Sequence, residues 1–162
     1  SVREAAGDPD ARTNVNIDDA ITKGIEAGVQ MPIGERWQAQ ASYTYTDSEQ
    51  KSGDNEGQPL TQVPRHLFNT TVNWQATEAL APWLRFTFRG EESQPVNLSS
   101  NSSTSIRAPS YATWDAGLSW QATRQIRVLS GIYNLTDKDI EFDNFGHVDD
   151  GRRYWVGLDL EF

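Results

Sequence analysis

Along most of this chain, apolar and polar side chains alternate residue by residue. That is the period of a β-strand with one face against something apolar. In 37–46 one set is Trp37, Ala39, Ala41, Tyr43 and Tyr45, and the other is Gln38, Gln40, Ser42, Thr44 and Thr46. Residues 84–89 set Leu84, Phe86 and Phe88 against Arg85, Thr87 and Arg89. Residues 111–120 set Ala112, Trp114, Ala116, Leu118 and Trp120 against Thr113, Asp115, Gly117 and Ser119. The final segment alternates Tyr154, Val156, Leu158, Leu160 and Phe162 with Arg153, Trp155, Gly157, Asp159 and Glu161. Three segments are less regular. In 19–32 the apolar set is Ile21, Ile25, Ala27, Val29 and Met31, interrupted by Lys23; in 64–75 it is Phe68, Thr70, Val72 and Trp74. In 126–138 it is Ile126, Val128 and Ile132, with Leu129 and Tyr133 on the opposite side. The pattern predicts seven antiparallel strands.

The connections alternate in length. Segments 34–36, 76–82 and 122–125 are short, whereas 48–63, 93–109 and 139–151 are long and rich in Gly, Ser, Asn and Asp. Short turns at one end and long loops at the other are the habit of a transmembrane β-barrel, and nothing in a soluble sandwich demands them. Trp37 and Trp83 follow short turns, and Trp74 and Trp120 precede them. These four are expected on the apolar face as a girdle at the membrane–water boundary, with Tyr43, Tyr45 and Tyr154 as the second girdle. Parity sends Arg85, Arg89, Arg127 and Arg153 to the polar face, which avoids about 2–4 kcal/mol for each arginine otherwise set in lipid. On the rival reading, a soluble secreted all-β module, Phe86, Leu118 and Leu158 would pack together in a sealed core.

Composition fits a membrane strand set. Only 36% of residues are hydrophobic, yet there are six Trp, five Tyr and six Phe, too many rings for a disordered chain. No apolar run approaches the roughly 18 residues of a membrane helix, but strands hide their signal in alternation. The net charge of -9 disfavours a nucleic-acid partner, and the absence of cysteine excludes disulfides and thiolate metal sites. Seven is an odd count, and an open sheet in lipid leaves edge N–H and C=O groups unpaired. The expectation is therefore an all-β segment, about seven strands of a larger barrel. Residues 1–18 would be the end of an extracellular loop and 19–162 the strands, with the missing wall supplied by preceding chain.

Several motifs, in order and at strand spacing, carry a family resemblance. They are Ala20-x-x-x-Gly24-Ile25-Glu26, Tyr43-Thr44-Tyr45-Thr46-Asp47, Pro64-Arg65-His66-x-x-Asn69, Asn134-Leu135-Thr136-Asp137-Lys138-Asp139, and Asp150-Gly151-Arg152-Arg153-Tyr154 running to Phe162. Over about residues 13–162 the chain resembles the C-terminal barrel of TonB-dependent receptors of Gram-negative bacteria, nearest the catecholate-siderophore and colicin I receptor type. The resemblance implies a 22-strand barrel in the outer membrane with long loops extracellular, an N-terminal plug that meets TonB, and uptake of a ferric siderophore. It also implies colicin or phage as further partners. Tyr154, Val156, Leu158, Leu160 and Phe162 are similar to the signal read by the barrel-assembly machinery.

No catalytic constellation, phosphate-binding glycine loop or cofactor motif is present, so an enzyme is not expected. His66 and His147 fall on the long-loop side, and Asp139, Glu141, Asp143, Asp149 and Asp150 form an acidic loop; solvated roles suit both groups. A ferric catecholate is an anion with aromatic rings, and arginine offers permanent charge, planar donors and stacking. The candidate ligand residues are thus Arg89 and Arg153 on the inner face, Arg152 beside Arg153, Arg65 and Arg107 flanking long loops, and Trp155. The competing role for these arginines is pairing with inner-face acids such as Glu26, Asp47, Asp115, Asp159 and Glu161. A porin or adhesin-like barrel is the alternative function.

Overall fold

The computed structural model describes residues 19–52, 56–93, 107–140 and 151–161. Seven long strands form one antiparallel sheet: β1 Ala20–Ile33, β2 Trp37–Gln50, β3 His66–Trp74, β4 Leu80–Arg89, β7 Tyr111–Gln121, β8 Ile126–Tyr133 and β9 Arg153–Leu160. Between β4 and β7 lies a two-residue pair, β5 Glu92–Ser93 with β6 Arg107–Ala108. The long strands are neighbours in chain order, β1-β2-β3-β4-β7-β8-β9, so the sheet is a simple meander whose edges are β1 and β9.

The register carries the two alternating sets unbroken across the sheet. One row runs Met31, Ala39, Val72, Leu84, Ala116, Ile132, Tyr154 through all seven strands. The adjacent row runs Gln30, Gln40, Thr71, Arg85, Asp115. A slip of one residue at any pairing would mix the rows, because side chains alternate faces with period two. The strand over 126–138 obeys the same rule. Val128 faces Trp120 and Leu158, which puts Ile126, Val128 and Ile132 on the apolar face and Leu129 and Tyr133 on the polar one.

The apolar face is covered by nothing among the described residues. Even on interior strands Leu84, Trp114 and Leu118 are 41%, 38% and 37% exposed, and on β9 Val156 and Leu158 are 75% and 67% exposed. Ala108 and Ile140 are the only buried hydrophobic residues described. The sealed core that a soluble module would need, with Phe86, Leu118 and Leu158 inside, does not form. No described helix is long and apolar enough to cross a membrane.

At the short-turn end, Trp37 and Trp74 are cross-strand partners whose rings stack at 5.0 Å and 9°, and Trp120 is 48% exposed on the same face. Trp83 corrects the expectation. It pairs with Asn73 and Gly117, so its ring lies on the polar face. Proximity to a turn suggested a boundary residue, but the alternation set by Leu84 and Phe86 decides its facing. At the long-connection end, Tyr43 and Tyr45 stand on the apolar face beside His66, with the Tyr43 hydroxyl 2.8 Å from His66 Nδ1. Tyr154, Val156, Leu158 and Leu160 all lie on the exposed apolar face. Phe162, residues 1–18, Glu141, Asp143, His147, Asp149 and Asp150 lie outside the described residues. Asp47 is a second correction: it pairs with Lys23 in the apolar parity and is not an inner-face acid.

β8 ends at Tyr133, short of 138, because Asn134 turns the chain. Asn134 and Asp137 take φ of 52° and 54°, values that Asn and Asp tolerate best among residues with a side chain. Asn134 Nδ2 donates to the Lys138 carbonyl and Lys138 N donates to Asn134 Oδ1, both at 2.8 Å. The Asn134 amide donates to Asp115 Oδ1 at 2.9 Å. This clamp gives physical content to the Asn-Leu-Thr-Asp-Lys motif. The sheet's facing makes a direct prediction. Leu118→Arg should cost about 2–4 kcal/mol of stability in lipid, whereas Thr87→Arg on the polar face should cost under about 1 kcal/mol. Urea titration of the lipid-reconstituted protein reads both, and equal costs would refute the assignment of faces.

Candidate functional site

At the long-connection end of β2–β4, the chain folds back over the polar face, and a half-open cavity of about 360 Å³ lies at the strand ends. Its wall includes Thr46, Ser48, Arg65, His66, Glu92 and Arg107. Local hydrogen bonds hold the fold-back. Ser48 Oγ accepts from Leu60 N at 3.1 Å, and Gln50 Nε2 donates to the Pro59 carbonyl at 3.2 Å. Gln62 N donates to the Ser93 carbonyl at 2.8 Å, and Thr61 bridges Ser93. Ala108 and Ile140, packed by Tyr111, supply a small apolar centre beneath the connections.

The strongest interaction here is ionic. Arg89 Nη2 lies 2.6 Å from Glu92 Oε2, and Arg89 Nε donates to the same oxygen at 2.9 Å. Arg89 Nη2 also donates to the Gln62 carbonyl at 3.1 Å. The Glu92 side chain is only 2% exposed. A carboxylate is taken out of water at this depth only with a charged partner, so the pair ties the 56–65 connection to β4 and β5. The other carboxylate oxygen, Oε1, has no partner among the described residues.

The six candidate ligand residues do not converge on one point. Arg65 and Arg107 line the cavity. Arg65 lies 3.8 Å from Asp47 with both side chains more than half exposed, a weak pairing. Arg89 does not line the cavity and directs its donors to Glu92 and Gln62. Arg153 and Trp155 sit across the sheet on the polar face. There the Arg153 guanidinium lies 5.5 Å from the Tyr133 ring centre, and Tyr133 stacks on Trp155 at 6.2 Å and 20°. Arg152 stands elsewhere. It precedes inward-facing Arg153 by one residue, and its guanidinium hydrogen-bonds Tyr154, so it belongs to the apolar-face rim. That hydrogen bond raises the Arg152 pKa above its ordinary value, which secures its charge.

The polar face holds a feature that the pattern alone does not disclose. Trp83, Gly117, Gly131 and Trp155 are successive cross-strand partners in one row. A Cβ on Gly117 would meet the Trp83 ring at 2.7 Å and press into the Ser130 carbonyl, and one on Gly131 would meet Trp155 Nε1 at 2.5 Å. Two indoles thus lie over two glycines, and the Trp155 N–H is buried with no partner among the described residues. Arg85 lies 5.5 Å from the Trp83 ring centre. Toward the short-turn end, Arg127 and Asp159 form a direct ion pair. That gives Asp159 a structural role within the wall. Among the described residues no three His, Asp or Glu side chains are grouped to hold a metal ion.

Glu92 and the β5–β6 pair were not legible in the sequence. Two-residue strands have no period, and an acidic residue three positions after an arginine is common in exposed loops. The long connection at 93–109 was recognised, but not that a carboxylate is buried where it begins.

Comparisons with known proteins agree with this architecture. Residues 2–135 match the family described as TonB dependent receptor-like, beta-barrel. An iron-regulated outer membrane virulence protein of Vibrio cholerae is 45% identical over 148 residues, which are 91% of this chain and 22% of that protein. A ferric enterobactin receptor, PirA, of Pseudomonas aeruginosa is 26% identical over 159 residues, 91% of this chain and 21% of that protein. A crystal structure of a mutant ferric enterobactin receptor from Pseudomonas aeruginosa with enterobactin superposes with a TM-score of 0.77 at 19% identity, covering 91% of this chain and 23% of that one. The chain spans about a fifth of the length of the relatives it matches.

The packing of the site has two measurable consequences. Glu92→Ala should free the 56–65 connection while leaving the long strands intact. Amide exchange at Gln62 is expected to quicken about tenfold or more, a local loss of at least ~1.4 kcal/mol, with the β2 and β3 amides toward the short-turn end unchanged. Gly117→Ala should destabilise the sheet by about 1–3 kcal/mol in the same urea titration, because the new methyl meets backbone as well as a ring. Gly117→Ala paired with Trp83→Ala should recover only part of that loss, since the Ser130 carbonyl remains in the way.

Proposed function

The chain belongs to the TonB-dependent receptor-like β-barrel family, and from that premise we propose that its strands form part of the wall of an outer-membrane receptor that takes up a ferric siderophore of the catecholate class. One observation carries the reading most directly. The sheet has one uncovered apolar face and one polar face, and an arginine-lined cavity opens at the end where the long connections gather. The apolar face suits lipid. The polar face suits the interior of a wide barrel, and the long-connection end suits the extracellular mouth. The relatives named as an iron-regulated outer membrane protein and a ferric enterobactin receptor support the iron chelate as cargo.

In this reading Arg65 and Arg107 attract the anionic complex to the mouth. Arginine suits the task because its charge persists at any physiological pH and its plane can stack on a catechol ring. The Arg153–Tyr133–Trp155 stack lies further along the same inner face and offers aromatic surface to a complex moving inward. Arg89 and Glu92 shape the mouth by holding its rim. The wall itself performs no chemistry. Release and energy coupling fall to a plug and to TonB, partners of the complete receptor, and the open edges β1 and β9 pair with the remaining wall of a barrel of about 22 strands.

The test is a titration of the complete receptor with ferric enterobactin, followed by quenching of its tryptophan fluorescence. Saturable binding is expected, with Arg65→Ala and Arg107→Ala each weakening affinity about tenfold, ~1.4 kcal/mol, and more so in low salt. Unchanged affinity in both variants would remove the cavity as a ligand site. Absence of binding by the unaltered receptor would remove the catecholate assignment.

A further inference from the structure

At the long-connection end of β9, a basic side chain stands beside a tyrosine on the apolar face. Arg152 precedes β9, hydrogen-bonds Tyr154, and is fixed at its main chain by a 2.8 Å bond from its amide to Asp137 Oδ1. Tyr154 is 69% exposed, and the strip below it, Val156, Leu158 and Leu160, is 75%, 67% and 51% exposed. An arginine at the top of such a strip is the arrangement that an amphiphile complements. Its chain lies along the apolar residues and its anionic head meets the guanidinium.

We propose that Arg152 with Tyr154 forms a binding point for the phosphate group of a lipid in the outer leaflet. Charge complementarity argues for the phosphate. Guanidinium presents paired N–H donors in a planar fork that matches phosphate oxygens. Tyr154 adds a phenol at headgroup depth, where amphipathic rings settle. A soluble anion would have no use for the Val156–Leu158–Leu160 strip. The proposal therefore commits to a lipid and does not depend on which cargo the receptor carries.

The complete receptor, reconstituted in phosphatidylcholine discs doped with phosphatidic acid or with diacylglycerol, provides the test. Co-purified lipid is counted by native mass spectrometry after mild extraction. The unaltered receptor should retain phosphatidic acid over diacylglycerol. Arg152→Gln should lower that retention about tenfold, and Arg152→Lys should fall between. Affinity for ferric enterobactin should not change in Arg152→Gln. Undiminished retention in Arg152→Gln would overturn the proposal. So would displacement of the lipid by inorganic phosphate alone, which would mark a soluble-anion site, or a loss of chelate affinity without loss of lipid.

Discussion

Everything in this sheet depends on one register held across its pairings. A β-strand shows alternate residues to opposite faces, so the lipid-facing and inward-facing sets stay separate only while each strand pairs in step with the next. The row from Met31 to Tyr154 is apolar at all seven positions, and the row beside it is polar from Gln30 to Asp115. Several local devices favour that step over its neighbours. The Trp37–Trp74 stack pins β2 to β3, the Phe86 and Trp114 rings, 4.7 Å apart, pin β4 to β7, and the indoles over Gly117 and Gly131 tie β4, β7, β8 and β9 together. In a solvent without hydrogen-bonding partners each missing ladder bond costs several kcal/mol, so a slip is penalised twice, once in the backbone and once in the side chains.

The same constraint explains why the cavity lies at one end. Short turns leave no room for a site, and Thr123, which caps its own turn through bonds from Gln125 N and Ile126 N at 3.2 and 3.1 Å, shows how completely they are used for closure. The connection after β2 has chain to spare, and its described residues 56–65 cover the polar face. Covering that face requires Glu92 to be buried. Arg89 is available as its partner only because it lies on the inward parity at the last position of β4.

Most of the fold was legible from alternation alone, since that signal is local and repeats seven times. The parts that were not legible are those in which position along a strand and parity disagree. Trp83 sits beside a turn, which suggested a boundary ring, yet its parity turns it inward onto Gly117. Arg152 is adjacent to Arg153, but neighbours in an extended chain point opposite ways, and Arg152 meets Tyr154. Arg65 and Arg107 were found from their charge beside long loops, and the cavity brings them together. Their joint partner, the fold-back held by Glu92, has no sequence period and could only be seen in three dimensions.

Where alternation places a residue against its composition, something other than lipid or water must account for it. Trp83 and Trp155 are large rings on a face otherwise rich in Gln, Thr, Arg and Asp, and each lies over a glycine. Without a Cβ, Gly117 and Gly131 leave the facing backbone bare, and a bulky neighbour laid across it fills the space that a side chain would have occupied. The rings therefore act as filler for the β7–β8 pairing before they act as anything else. That accounts for their position without appeal to cargo, and Tyr133, with Arg153 over its ring, stacks on Trp155 to extend the same shelf.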